Sequence, residues 1–140
     1  MLKKTITYTD YNGVERTEDF YFNLTKAELL DWELSTNGGL TVVAQRIINA
    51  KDQVKAIKLF REIIDKSYGV KSEDGRRFIK NETVLNEFRE SPAYSELYME
   101  LVSNDQAASA FVNSILPSDM VEQAAQGGAQ GGARQVFALA

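Results

Sequence analysis

The chain has 140 residues and a formal net charge of −4, with 44% hydrophobic and 26% charged residues. That is enough for one domain with a real core, burying roughly two-thirds of its unfolded surface without a metal or disulfide. Cysteine and histidine are both absent, which excludes disulfides, thiol chemistry, zinc enzymes and His-dependent triads. Acidic charge argues against broad electrostatic binding of DNA or RNA and fits protein partners better. The opening MLKKTITYTD has no apolar core of signal-peptide length. No apolar run approaches the ~20 residues of a membrane span, so the chain reads as cytosolic.

Residues 2–22 predict a β-hairpin. Leu2, Ile6 and Tyr8 share one parity with threonines on the other, the period of a half-buried strand. Asn12-Gly13 supplies the positive φ angles of a tight turn, and the second arm, Arg16 to Phe22, places Phe20 and Phe22 on one face. Two strands alone are marginal in water, so the hairpin must pack on helices or pair again. Thr25 and Glu28 form a capping-box pattern for a helix to about Ser35 that buries Leu29, Leu30 and Trp32 and stops at Asn37-Gly38-Gly39. A second short helix is expected over Leu40 to Asn49, with Val43, Ile47 and Ile48 inward.

Asp52 to Tyr68 carries the clearest helical stripe: Val54, Ile57, Phe60, Ile64 and Tyr68, widened by Ile63. Gly69 stands where a helix stop belongs. A polar turn over 71–75 leads into Arg76 to Lys80, a short extended segment or third strand. A helix from Thr83 to Arg89 would bury Val84, Leu85 and Phe88. Ser91 can cap the next helix, with Pro92 at its first position and Tyr94, Leu97, Tyr98 and Leu101 as its stripe. Asn104 or Asp105 caps a last helix with Ala108, Phe111, Val112, Ile115 and Leu116 inward, ended by Pro117. The small residues 107–110 let another helix approach closely. Ser118 or Asp119 could start a further turn, Met120 to Gln126. The twice-repeated Gln-Gly-Gly-Ala then predicts a flexible linker. The fold class is α+β, mainly α: an N-terminal hairpin packed on five to six short helices, with residues 1–122 as one domain and 123–140 as a Gly-rich flexible tail.

No constellation in this order carries catalysis. Glu18-Asp19 and Glu73-Asp74 are adjacent carboxylates, but strand neighbours point to opposite faces and do not converge on one atom. Lys71 to Gly75 lacks the alternating oxygen ligands of a calcium loop. The paired glycines match neither phosphate-binding pattern. Arg76-Arg77-Phe78 with Lys80 is the one basic and aromatic cluster, of a kind that can clamp single-stranded nucleic acid. It is short and follows Glu73-Asp74, so a turn flanking a strand is the better reading. The candidate partner-binding residues are Tyr94 and Tyr98, as core or interface anchors, with Met120 and the apolar tip Val136-Phe137. On its glycine linker that tip is either without fixed structure or a docking peptide.

Three stretches taken together resemble the tail assembly chaperone family of long-tailed, siphovirus-type bacteriophages of Gram-positive hosts. They are MLKKTITYTDYNGVERTEDFYFNLTKAELL, KSYGVKSEDGRRFIKN and SPAYSELYMELVSNDQAASAFVNSILPSDM, and the likeness covers residues 1 to about 120. The resemblance implies a non-enzymatic protein with no cofactor, working in the host cell cytoplasm and absent from the mature virion. It implies that the protein coats the tape-measure protein, keeps it soluble and helps recruit tail-tube protein subunits. It also implies that the chain is the short product of a gene with a frameshifted longer one, the two diverging near 127–133. Self-association stays open as a further partnership; nucleic acid and membrane are not expected partners. The alternative is a virion structural neck or tail-completion protein forming a ring. A small acidic regulator of a host nucleic-acid-binding protein is a third reading. It fits less well, because the carboxylates here are interspersed with Lys and Arg.

Overall fold

The computed structural model describes residues 1–39, 42, 46 and 49–117. Two long strands, β1 (Leu2–Thr9) and β2 (Glu15–Phe22), are followed by helix α1 (Lys26–Ser35) and helix α2 (Gln53–Ser67). Then come β3 (Tyr68–Lys71), β4 (Phe78–Ile79), α3 (Glu82–Arg89), α4 (Pro92–Ser103) and α5 (Asp105–Ile115). The strands form one sheet in the order β1-β2-β3-β4, antiparallel throughout. The fold is α+β and mainly helical, with the N-terminal hairpin laid on the helices.

The hairpin register sets Leu2 opposite Phe22, Lys4 opposite Phe20 and Ile6 opposite Glu18. Because strand side chains alternate, Leu2, Ile6, Tyr8, Phe20 and Phe22 share the face turned to the helices. The other face is polar: Thr5 Oγ1 donates to Asp19 (2.6 Å) and Thr7 and Thr17 share a hydrogen bond (2.9 Å). Glu18, on the inner face, accepts instead from the Tyr8 hydroxyl. The turn differs from the expected tight one. Residues 10–14 form the loop, and only Gly13 takes a positive φ, of 80°, while Asn12 does not. The Asp10 carboxylate supplies the rest of the order, accepting from the amides of Asn12 and Val14, both at 2.9 Å. An Asx-type side chain has replaced one of the left-handed residues.

The capping box at α1 is formed in both directions, Glu28 N donating to Thr25 Oγ1 (3.1 Å) and Thr25 N to Glu28 Oε1 (2.9 Å). Leu29 and Trp32 are buried, but Leu30 is not: it is 58% exposed, beside Leu34 at 75%. At 100° per residue, Leu30 and Leu34 fall together on the face opposite the core. In the expected helix over 40–49, residues Val43, Ile47 and Ile48 lie outside the described set; Val42, Arg46 and Asn49 are helical.

Helix α2 starts on the Asp52 carboxylate, which accepts from Lys55 N. Its buried side is Leu59, Phe60, Ile63, Ile64 and Ser67. This corrects the expected stripe by about a quarter turn: Val54 is 64% exposed and Ile57 38%. Nor does the helix stop on Gly69. It ends at Ser67, Asn23 N donates to Ser67 O (2.8 Å), and the chain passes directly into β3 beside Tyr21 and Phe22. Tyr68 therefore belongs to a strand. Gly69 is required there for close approach, since a Cβ at this position would lie 2.7 Å from the Phe78 ring.

The extended segment expected near 76–80 is β4, paired to β3 through Val70–Ile79 and Lys71–Phe78. Asn81 caps α3 (Val84 N to Oδ1, 2.8 Å); Phe88 is buried and Val84 and Leu85 half-buried. Pro92 opens α4 as expected, but Ser91 makes no side-chain cap: its hydroxyl donates backwards to Phe88 O (2.7 Å). Asn104, not Asp105, caps α5, accepting from Ala107 N (3.0 Å). Ala93, Leu97, Leu101, Ala108, Phe111, Val112 and Ile115 close the core, and Leu24 N donates to Ile115 O to tie the end of α5 to the loop after β2.

Candidate docking seam

Helices α2 and α4 run antiparallel. At one end the Tyr94 hydroxyl donates to Asp65 Oδ1 (3.0 Å). At the other, Gln53, Ala56, Ile57 and Phe60 of α2 share a groove of about 290 Å³ with Leu101, Val102 and Asp105. Phe60 and Leu101, both nearly fully buried, are its floor, and Ile57 and half-buried Val102 are its lips. The same register sets Tyr98 at the level of Arg61, between the two ends. The rings of Tyr94 and Tyr98 are 6.1 Å apart, and both are half-buried. The structure thus brings two of the sequence-predicted contact residues together on one seam. Met120, Val136 and Phe137 lie outside the described residues.

The seam has a definite electrostatic character. Burial pushes the Tyr94 phenol up to about 12, with the charge of Asp65 and the hydrogen bond to it adding to the effect. Tyr94 is therefore a neutral donor at any physiological pH. Asp65 is occupied by that bond and by Arg89 at 4.0 Å. Lys58 and Arg61 are exposed on the α2 side of the seam, and neither has an ion-pair partner among the described residues.

Behind the seam lies an aromatic cluster centred on Phe88. Its ring stacks on Tyr68 at 4.3 Å and meets Phe20 at 5.1 Å and Tyr94 edge-on at 5.3 Å. Tyr94 is thus both core and rim, its ring packed inward and its hydroxyl held at the surface.

The basic cluster at 76–80 does not assemble into a clamp. Lys80 turns inward, its ammonium donating to Asn23 O and Glu28 Oε2, both at 2.7 Å. Burial lowers the Lys80 pKa against the pull of Glu28. Burial raises the Glu28 carboxyl, and the bonds from Lys80 and Thr25 outweigh it, so Glu28 ends below its usual range. Phe78 covers Gly69, and Asp74 is spent on the turn, accepting from Ser72 Oγ and Arg76 N. Among the described residues no group of acidic side chains is arranged to hold a metal ion, and no helix is long and apolar enough to cross a membrane.

Sequence reasoning did not single out Ile57, Lys58, Arg61 and Val102 as seam residues. The signal available was the pairing of Val54 and Ile57 with Lys58 and Arg61 one turn on, an apolar crest that carries its own cations.

A family model described as phage tail assembly chaperone matches residues 1–137, reaching beyond residue 120 into the Gly-rich stretch. No curated protein and no solved structure matches the chain.

Proposed function

The chain belongs to the phage tail assembly chaperone family, and on that premise we propose that it binds the tape-measure protein, keeps it soluble and helps recruit tail-tube subunits as the tube grows. Membership implies a non-enzymatic role in tail assembly in the infected cell. The observation that supports the finer reading is the apolar helix surface that the chain leaves uncovered, at Ile57 and Val54 on α2 and at Leu30 and Leu34 on α1. A chaperone for a long helical client needs such faces, with net charge to keep the complex in solution. The work would be done in the host cytoplasm by residues 1–122, with 123–140 as an appended tail.

Co-expression tests this. Tape-measure protein should stay in the soluble fraction and co-purify with this chain. Equal solubility of the tape-measure protein without the chain would contradict the proposal. Mass spectrometry of purified virions should find the chain absent; its presence at the stoichiometry of a ring would assign it to the neck or tail-completion class.

A further inference from the structure

The sheet order puts β2 between β1 and β3, yet β3 covers only its end. β3 pairs with β2 at Tyr21–Gly69 and Phe22–Tyr68, then leaves it for β4 at Val70–Ile79 and Lys71–Phe78. Glu15 to Phe20 therefore have β1 on one side and, among the described residues, no strand on the other. We propose that this free edge is a docking site for an extended basic segment of another protein, added as a strand beside β2. The site is separate from the uncovered helix faces and does not depend on the client reading.

The hydrogen bonds fix which backbone groups point outward. Asp10 N donates to Val14 O, in the register that sets Thr9 opposite Glu15. Bonded pairs alternate along an antiparallel ladder, so Arg16, Glu18 and Phe20 turn their amides and carbonyls to β1. Glu15, Thr17, Asp19 and Tyr21 turn theirs the other way. The bond from Asn23 N to Ser67 O and the Tyr21–Gly69 pair have the same phase. Tyr21 uses its groups on Gly69. Those of Glu15, Thr17 and Asp19 have no backbone partner among the described residues, and all three residues are exposed.

Over Glu15 to Asp19 that edge is about 17 Å long. No bulge interrupts its register with β1, and β2 holds neither proline nor lysine, the residues that most often blunt a free edge. Its charge is negative instead. Glu15 and Asp19 stand on either side of Thr17 on the outer face. Glu73 lines, with Asp19, Tyr68 and Lys71, a notch of about 350 Å³ where β2 and β3 part. Glu15, Asp19 and Glu73 have no ion-pair partner among the described residues. The nearby cations are engaged elsewhere: Arg16 Nε donates to Asp10 Oδ2 at 2.6 Å, and Lys71 lies over the Tyr21 ring at 4.4 Å.

These features select the occupant. Backbone bonds to an edge give affinity to any extended segment, and the side chains opposite decide which one. Opposite charges across a strand pair stabilise it and like charges destabilise it. The edge therefore accepts a strand with Lys or Arg opposite Glu15 and Asp19 and rejects an acidic one. Between those positions a threonine suits Thr17, as Thr7 does inside the hairpin at 2.9 Å. Two β2 edges laid antiparallel would set Glu15 against Asp19, so the edge of a second copy is not the occupant.

Fluorescence anisotropy with the full chain and a labelled peptide of alternating threonine and lysine, about nine residues long, tests this. The wild type should bind it, and should bind the same peptide with glutamate for lysine at least about tenfold more weakly. Glu15→Lys/Asp19→Lys should also weaken binding about tenfold or more. Thr17→Pro removes an outward amide that no β1 bond needs and should abolish binding at unchanged charge, whereas Thr17→Val should keep it. The lysine peptide methylated at every backbone nitrogen keeps its charge, has no backbone donors and should not bind the wild-type chain, a result that no folding defect can imitate. Amide exchange of the wild type with the lysine peptide should slow at Thr17 and Asp19. The proposal is overturned if the lysine peptide does not bind, or if the acidic or the methylated peptide binds as tightly. It is equally overturned if the slowed amides lie in the helices and not in β2.

Discussion

Phe88 and Ile57 both project from helices whose apolar residues recur every three or four positions, yet Phe88 is 2% exposed and Ile57 38%. Around Phe88 the rings of Phe20, Tyr68 and Tyr94 arrive from β2, β3 and α4, and the side chain is enclosed on every flank. Ile57 has α4 on one flank and solvent on the other. The difference is in the number of neighbouring elements, not in the residues. A helix of this length has an apolar arc wider than one neighbour can cover. Where the fold supplies only one neighbour, the remainder of the arc stays exposed, as at Val54 and Ile57.

The comparison breaks most visibly at its closed end. Phe88→Ala removes the ring on which β2, β3 and α4 converge and should cost about 3–5 kcal/mol, read as a large fall in the urea midpoint. If the chain lost under about 1 kcal/mol, of the order of a surface change, the cluster would not be the centre of the core. Gly69→Ala should follow. Its new Cβ meets the Phe78 ring at 2.7 Å, an overpacking worth about 1–3 kcal/mol. Phe78→Ala in the same chain should relieve most of it. A double mutant no better than Gly69→Ala alone would point to backbone strain in place of the ring contact.

Tyr94 stands on the boundary between the two regions, and its effect is intermediate. Tyr94→Phe should cost about 1–2 kcal/mol through the lost bond to Asp65. Its pH signature has a fixed sign. The folded phenol titrates near 12, above its ordinary value of 10.0, so the folded state holds that proton more tightly than the unfolded chain. The stabilisation is fully present below pH 10 and is lost as pH rises toward 12. Tyr94→Phe should flatten that alkaline fall without abolishing it, because burial also raises the Tyr68 phenol. Denaturant melts across that window would show it, and an unchanged slope would remove Asp65 and Tyr94 as a linked pair. The smallest effect belongs to the open end: Ile57→Ser should move stability by under about 0.5 kcal/mol while lowering the amount of tape-measure protein that co-purifies with the chain. A loss comparable to Gly69→Ala would show that Ile57 is core after all.

Much of the closed region is legible in the sequence because it rests on local rules. Strand parity placed Ile6, Tyr8, Phe20 and Phe22 correctly, Thr25 and Glu28 announced their capping box, and Phe88 and the α5 stripe were read from helical spacing. What failed depends on contacts far along the chain. Nothing within α2 says that its core side is centred on Ile63 and Ile64 instead of Val54 and Ile57, since that is decided by where α4 and the sheet lie. Gly69 looked like a helix stop because its role is set by the ring of Phe78, nine residues on, and β3 exists because the edge of β2 at Tyr21 and Phe22 was free to pair. The seam was half legible for the same reason. Tyr94 and Tyr98 belong to one helix stripe, while Lys58, Arg61 and Val102 join them only through the packing of two helices about 40 residues apart in sequence.

Amide hydrogen exchange on the chain alone at low concentration, and again in its complex with the tape-measure protein, tests most directly whether these uncovered helix faces are the working surface. The account predicts slower exchange in the complex at α1 and along the α2–α4 seam, from Gln53 to Arg61 and from Tyr98 to Asp105, with the hairpin unchanged. Slowing confined to β1 and β2, with α1, α2 and α4 exchanging as in the free chain, would contradict it.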